Sequence, residues 1–369
     1  MARPRLRPVG RVRPVRRDAA DQDRRRLRRE PGGHGRHDQP APGGSAAHGG
    51  RGLLTIPTIR RLEPEEQRLS ARRRWRTFRD RLERRDLKRS ERSLKRRSHY
   101  FERTVRFLSL GLRAIGLWGR GFRNATQPRL VRHEVRLPGL PAAFDGYRLL
   151  HLTDLHIDLL PQLVEATRKI VGGVETDLVV LTGDYYARYG QDDAELAAPY
   201  AAIFDALRSR DGIVGILGNH DSSGIPDIMS SLGVTMLVNE TIALSRDGEE
   251  IYLTGTDDVH HYWSPAARRA LEATPRDRLR IALIHTSEIA DEAARLGYAL
   301  YLTGHTHGGQ VCLPGGFPPV TMGMRRAYAA GLWRIGGMVG HTSRGIGASS
   351  VPLRFNCPSE IALITLKRA

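Results

Sequence analysis

Six short apolar runs between residues 147 and 303 constrain the fold of this chain more than any other feature of its sequence. They are YRLLHL (147–152), DLVVLT (177–182), GIVGIL (212–217), IYLTG (251–255), RIALIH (280–285) and YALYLT (298–303). Each has the length and the β-branched or aromatic content of a buried strand. Helical patterns lie between them, at residues 161–171, 192–210, 264–273 and 286–296. The third opens on Ser264 as N-cap with Pro265 in its first turn, and the fourth closes on Gly297. Strands alternating with helices predict an α/β domain in which helices cover a sheet.

The residues just past the strands are as informative as the strands themselves. YRLLHLT is succeeded at once by Asp154 and His156, DLVVLTG by Asp184, and GIVGILG by Asn219, His220 and Asp221. RIALI runs into His285, and YALYLTG into His305 and His307. Five strands thus end in side chains able to bind a cation, and the C-terminal ends of strands are where α/β sheets place their sites. Taken singly these signals are weak. Asp-Leu-His also serves as a turn, Gly-Asp is a common turn dipeptide, and a lone His285 is more often a hydrogen-bonded structural residue than a ligand. GHTHGG (304–309) is stronger, since its glycines permit an unusual backbone around two imidazoles. In combination and in this order, they predict a metal site on one sheet edge.

The sequence of motifs, D-x-H at 154–156, G-D at 183–184, G-N-H-D at 218–221, His285 and G-H-x-H at 304–307, resembles the calcineurin-like metallophosphoesterase superfamily. The similarity runs from about residue 134 to the C-terminus. The tail SRGIGASSVPLRFNCPSEIALITL (343–366) is similar to a bacterial branch of single-domain, often membrane-associated phosphodiesterases. The resemblance implies an α/β/β/α sandwich, two β-sheets packed face to face with helices outside. It implies one metal held by Asp154, His156, Asp184 and His307, and a second held by Asp184, Asn219, His285 and His305, with Asp184 as the bridge. Carboxylates and imidazoles suit Mn, Fe or Zn, as two divalent or mixed-valence ions, better than Ca or a thiolate-bound metal. The expected activity is hydrolysis of a phosphate ester, most simply a diester, by a water activated between two cations. Hydrolysis of a UDP-2,3-diacylglucosamine-type diphosphate is a special case. His220 would stabilise charge or protonate the leaving oxygen, with Asp221 orienting its imidazole. Two readings of other classes compete: a catalytically silent scaffold, and a nuclease directed to nucleic acid. The first expects missing ligands, and none is missing.

Around these motifs stand further candidates. Arg344, in a glycine-rich loop, could bind a phosphate through its forked donors. For Arg354 structural pairing with acidic neighbours is the better expectation. Asp257, Asp258, His260 and His261 follow another strand. Asp258 is a candidate for the substrate cleft, with a surface turn weighed equally.

Charge separates the chain into unlike parts. The formal net charge is +19, yet residues 134–369 carry 21 basic and 27 acidic side chains. The whole excess of positive charge therefore lies in the first 133 residues. Residues 1–60, rich in Arg, Pro and Gly without apolar periodicity, are expected to be disordered; that they are not part of the natural product is weighed equally. Residues 61–103 read as a solvated charged helix. Residues 104–133 read as a basic amphipathic segment and linker. Within it Phe107, Leu108, Leu112, Ile115, Trp118 and Phe122 share one side, and Arg106, Arg113 and Arg120 another. Such a segment suits an anionic membrane surface, or alternatively packs on the catalytic domain. Nucleic acid is a less favoured partner for the tail, which lacks aromatic interleaving. Cys312 and Cys357 are too few for a disulfide framework. No apolar run reaches eighteen residues. A cytoplasmic or peripheral membrane location is therefore expected, with export through the Arg96-Arg97 pair a minor alternative, because such pairs arise by chance in so basic a stretch.

Overall fold

The computed structural model describes residues 58–187 and 193–369, with the backbone alone at 58, 86–106 and 108. The expected disordered tail lies outside the described residues up to position 57.

The chain opens with β1 (Thr58–Arg61), a long α1 (Glu65–Ala114) and a short α2 (Trp118–Thr126). The next stretch holds β2 (Arg129–Leu137), β3 (Arg148–Leu152), α3 (Leu163–Val171), β4 (Glu175–Thr176) and β5 (Leu178–Leu181). Then come α4 (Ala197–Phe204), β6 (Arg208–Ser209), β7 (Ile213–Gly215), α5 (Ile225–Ser231) and β8 (Val234–Met236). The second half holds β9 (Glu240–Arg246), β10 (Glu249–Gly255), α6 (Pro265–Ala273), β11 (Leu279–Leu283) and α7 (Ala290–Leu296). It closes with β12 (Leu300–Thr303), β13 (Gly331–Ile335), β14 (Met338–Thr342) and β15 (Glu360–Arg368).

Two sheets carry the fold, in the orders β1-β9-β10-β11-β12-β14-β13 and β2-β15-β3-β5-β7-β8. They face each other across one apolar layer. Leu149, Leu178, Val180, Val214 and Ile364 of the second sheet meet Ile242, Leu253, Ile281, Leu283 and Leu302 of the first. The outer face of the second sheet packs on α3, α4 and α5 through Leu163, Ile203 and Met229. That of the first packs on α6 and α7 through Leu271 and Ala293. Strands buried on both faces read as continuous apolar runs rather than alternating ones, which is why they stand out in the sequence. The result is the α/β/β/α sandwich.

Several expectations about segments change. The predicted helix at 192–210 is shorter: a 3-10 turn at Asp193–Leu196 leads into α4, and the chain then leaves the helix to pair Arg208 with Glu175. Arg210 closes on Asp177 at 2.7 Å. Ser264 does stand at the N-cap of α6, in extended conformation, but its hydroxyl makes no capping bond. The division at 103/104 falls inside α1, whose residues include no proline and few other helix breakers. Its end is set by Gly116, left-handed at φ 71°. The boundary at 134 falls inside β2, which pairs with β15 from Arg129↔Glu360 to Leu137↔Arg368. The last expected tail residues, 58–60, belong to β1, which extends the first sheet by pairing antiparallel with β9.

Candidate metal centre

Strand register aligns the motif loops. Leu152 pairs with Leu181 and Leu181 with Gly215, so the parallel strands β3, β5 and β7 end together. Asp154, Asp184 and Asn219 follow within a few residues of these ends. In the other sheet Leu283 of β11 pairs with Leu302 of β12, aligning the loops of His285 and His305. The two sheet edges are tied to each other: His285 Nδ1 donates to the Thr182 carbonyl (2.7 Å), and the His305 N–H donates to the Asp154 carboxylate (3.1 Å). Close approach requires glycine at two places. A Cβ at Gly218 would collide with Asp184, and one at Gly304 with Asp154.

Seven side chains converge. Ligand atoms of Asp154, His156, Asp184 and His307 lie within 4.8 Å of one another, and those of Asp184, His285 and His305 form a second such group. Asn219 joins the second: its Oδ1 is 2.8 Å from His305 Nδ1 and 3.2 Å from His285 Nε2. His156 Nε2 and His307 Nε2 face each other at 3.2 Å. His307 Nε2 is 3.4 Å from Asp154, and His285 Nε2 is 3.3 Å from Asp184. Asp154, His156, Asp184, His305 and His307 all adopt left-handed backbone, with φ between 42° and 68°. Such conformations cost of order 1–3 kcal/mol each and cluster at functional sites.

The donor set fits metal ions. Burial pushes His156 down to about 3, and pushes His305 and His307 well below the usual imidazole range, so their lone pairs are not protonated near neutrality. Burial opposes ionisation of Asp184, but His285 and His220 hold its carboxyl well below the usual carboxylate range. Burial likewise opposes a charge on His285, and the Asp184 carboxylate outweighs it, raising His285 to about 10. Because His285 Nδ1 is engaged by Thr182, the electron pair facing Asp184 is that of Nε2, where a cation competes with the proton. Two ligating nitrogens facing each other at 3.2 Å beside carboxylates, all buried, are a nitrogen and oxygen set suited to Mn, Fe or Zn. The set contains no thiolate.

His220 lines the cavity at this centre. Its Nδ1 donates to the Ala187 carbonyl (2.8 Å), and its backbone N–H donates to Asp184 (2.9 Å). The expected role of Asp221 is corrected. Its carboxylate accepts from the N–H groups of Asp184 (2.8 Å), Tyr185 (2.8 Å) and Gly218 (2.7 Å), so it clamps two motif loops together. The imidazole is oriented by Ala187 instead.

The outlying candidates move away from the cavity. Arg344 is paired with Glu360 at 2.6 Å, and its backbone N–H donates to the same carboxylate, so it is held as a structural pair rather than aimed at a phosphate. Arg354 is fully buried and bonded to the carbonyls of His307 (3.2 Å), Gly347 and Arg344 rather than to acidic side chains, which makes it a brace beneath the His307 loop. Asp258 accepts from the N–H groups of His260 (3.2 Å) and His261 (2.7 Å), and is taken up by its own turn.

One group is absent from the sequence expectations. Residues 75–80 of α1 lie against the loops around this centre, so this part of the helix is not solvated all round. Arg79, 0% exposed, pairs with Asp257, stacks 3.3 Å above Tyr262 and donates to the carbonyls of Asp221 (2.6 Å) and Gly218 (3.3 Å). Trp75 Nε1 donates to the same Asp257 (2.7 Å). Arg76 pairs with Asp227 (2.6 Å), and Ser223 donates to Asp80 (2.5 Å). A lone tryptophan in a run of charged residues was the available signal.

Further along, the segment expected to be one amphipathic helix is broken at Gly116. Beyond the break, α2 packs on the domain: Phe122 lies against the core, and Arg120 donates to Asn356 (2.8 Å). Arg113 stacks on Trp118 (4.3 Å). Phe107 and Ile115 remain exposed; the side chains of Arg106 and Leu108 lie outside the described residues.

A sandwich of two sheets with histidines and carboxylates gathered at its strand ends defines a class of metal-dependent phosphoesterases. Residues 147–309 match the family model of the calcineurin-like phosphoesterases, and the chain belongs to that superfamily. It is similar to the Bacillus subtilis metallophosphoesterase YkuE, 28% identical over 264 residues that cover 68% of this chain and 90% of the relative. It is similar also to the Escherichia coli phosphodiesterase YaeI, 28% identical over 261 residues, 67% of this chain and 93% of that one. These two mark its bacterial branch. A Bos taurus transmembrane protein with a metallophosphoesterase domain is 30% identical over 276 residues; the match spans 68% of this chain and 60% of the relative's length.

Proposed function

We propose that the protein is a phosphodiesterase that works with two metal ions, one held by Asp154, His156, Asp184 and His307 and the other by Asp184, Asn219, His285 and His305. The observation that carries this reading is that Asp184 belongs to both donor groups. Cations in such a pair of sites polarise phosphoryl oxygens and make a water more acidic. The chain's own residues supply the rest. Asp221 keeps the Asp184 and Asn219 loops in register, and Arg354 supports the His307 loop. His220, with Nδ1 engaged by Ala187, is placed to deliver a proton from Nε2 to the leaving oxygen. Water adds to phosphorus, the ester P–O bond breaks, and a monoester and an alcohol leave.

The experiment is turnover of p-nitrophenyl monoesters, bis-p-nitrophenyl phosphate and a nucleoside diphosphate ester by the full chain with Mn, Fe or Zn. Metal-dependent cleavage of the diester is expected. Activity on monoesters alone, or activity that survives chelation, would refute the reading. Preference for the diphosphate would select the UDP-2,3-diacylglucosamine-type pyrophosphatase alternative.

The same proposal places the protein at an anionic membrane surface. It is supported by Phe107, Leu110 and Ile115 at the end of α1, 68%, 55% and 67% exposed. Among the described residues no helix is long and apolar enough to cross a membrane. Nucleic acid is not favoured, because residues 134–369 carry 27 acidic against 21 basic side chains.

A further inference from the structure

The cavity at the metal centre, about 390 Å³ in volume, has two walls of opposite character. One is made by Asp184, Asn219, His220, His305 and His307. The other is apolar, made by Leu112, Val311, Val320, Met322, Val351 and Phe355. Val320 and Met322 are 59% and 53% exposed, a poor arrangement for side chains whose only task is packing.

Among the described residues, no lysine or arginine lines this cavity. Arg344 and Arg354, which border the His307 loop, are committed to Glu360 and to backbone carbonyls. Two of the polar side chains beside the apolar wall are committed as well, which leaves the hydroxyls of Ser349 and Ser350 as its hydrogen-bonding groups. Gln310 donates to the Ser349 and Val351 carbonyls (3.0 Å each) and accepts from the Ser349 N–H (2.9 Å), and Thr306 donates to the Ala329 carbonyl (2.6 Å). A sugar, a base or a second phosphate seated against this wall would exchange its hydrogen bonds to water for few in return. A hydrocarbon chain would lose nothing and gain burial. The apolar wall also continues outward. Leu112 is in the last turn of α1, three residues before the exposed Ile115, a spacing that puts both on one face.

We infer that the ester substituent received by this cavity is a long apolar chain, so that the substrate is an amphipathic phosphodiester. This rests on the phosphodiesterase reading. A phosphate at the metal ligands has its substituent directed along the apolar wall, which those ligands do not form.

The test is a series of p-nitrophenyl n-alkyl phosphates, from methyl to octyl, below their micellar concentrations, with the Mn-loaded full chain. Each methylene that becomes buried should raise kcat/KM up to about fourfold, and the octyl ester should exceed the methyl ester by more than tenfold. Val320→Asp and Met322→Asp should each lower the octyl-to-methyl ratio. Calorimetric binding of n-octylphosphonate against methylphosphonate reads the same preference without turnover, and tighter binding of the octyl compound is expected. Cleavage of the methyl ester with no gain along the series would overturn the inference and leave the phosphodiesterase reading standing. Cleavage of no member would overturn that reading, and equal affinity for the two phosphonates would overturn the inference independently.

Discussion

Replacing Arg79 by alanine tests whether α1 is part of the catalytic domain. The substitution removes a fully buried guanidinium and leaves Asp257, itself buried, with the Trp75 indole (2.7 Å) and the Asp258 N–H (2.8 Å) as its remaining donors among the described residues. Removing one partner of a buried ion pair typically costs about 3–5 kcal/mol, because the other charge stays desolvated. Burial already raises the Asp257 carboxyl above its ordinary value, with Arg79 opposing that rise. Without Arg79 it should rise further. A folded-state pKa above the unfolded one means that Asp257 stabilises the variant least where it must be ionised. Stability is then lost as pH rises through the folded value, and the penalty of Arg79→Ala should be larger at pH 8 than at pH 5.

Urea denaturation of the parent, Arg79→Ala, Asp257→Leu and the Arg79→Ala/Asp257→Leu pair measures this as a double-variant cycle. The pair should cost clearly less than the sum of the single replacements. A second readout comes from the carbonyls of Gly218 and Asp221, which lose a donor on either side of Asn219 and His220. Metal content at neutral pH should fall in Arg79→Ala. A penalty below about 1 kcal/mol, or one that does not change with pH, would show that α1 only rests on the domain.

Three other outcomes are expected. Asp184→Asn should remove charge from both donor groups and lower bound metal and activity together, more than His156→Asn does; two retained metals by elemental analysis with activity intact would contradict a shared ligand. His220→Gln should keep both metals while lowering kcat by about 10²–10⁴-fold for alkyl leaving groups, and much less for p-nitrophenol, whose leaving oxygen needs little protonation; equal losses for both would exclude proton delivery by His220. The full chain should sediment with phosphatidylglycerol vesicles, less so with added salt. Replacing Phe107, Leu110 and Ile115 by serine should weaken that partitioning at least tenfold, at about 1.5–3 kcal/mol for each fully buried apolar side chain; unchanged partitioning would place the contact elsewhere. Substitution is preferable to truncation at residue 134 here, because β1, α1 and the start of β2 are built into the domain.

The strand ends were legible because two local signals coincide there: an apolar run of strand length, and a ligand-type residue immediately after it. Parallel register then brings those residues together with no further information, as at Asp154, Asp184 and Asn219. Contacts between distant parts of the chain were not legible. Arg79 and Asp257 are separated by 178 positions, and a charged helix is ordinarily read as solvated because lysine and arginine are seldom buried unpaired. Arg344 was expected at a phosphate and Arg354 in an acidic pair, yet the position of Glu360 on β15 gives the ion pair to Arg344 and leaves Arg354 as the carbonyl brace.

Asp221 shows a different kind of limit. Adjacency to His220 suggested a carboxylate–imidazole pair, yet neighbouring residues in a non-helical loop commonly point to opposite sides. The Asp221 carboxylate instead meets the amides of Gly218, Asp184 and Tyr185, where it replaces the strand hydrogen bonds that end with β5 and β7. Backbone conformation lay equally out of reach. Asp and His tolerate the left-handed region better than most side chains, but nothing in a propensity pattern places five such residues at the ligands. Their strain has a consequence for the site. Asp154, His156, Asp184, His305 and His307 keep their conformation only while the surrounding loops hold them, so the clamp at Asp221 and the braces at Arg79 and Arg354 act on metal binding through the backbone, without touching a metal.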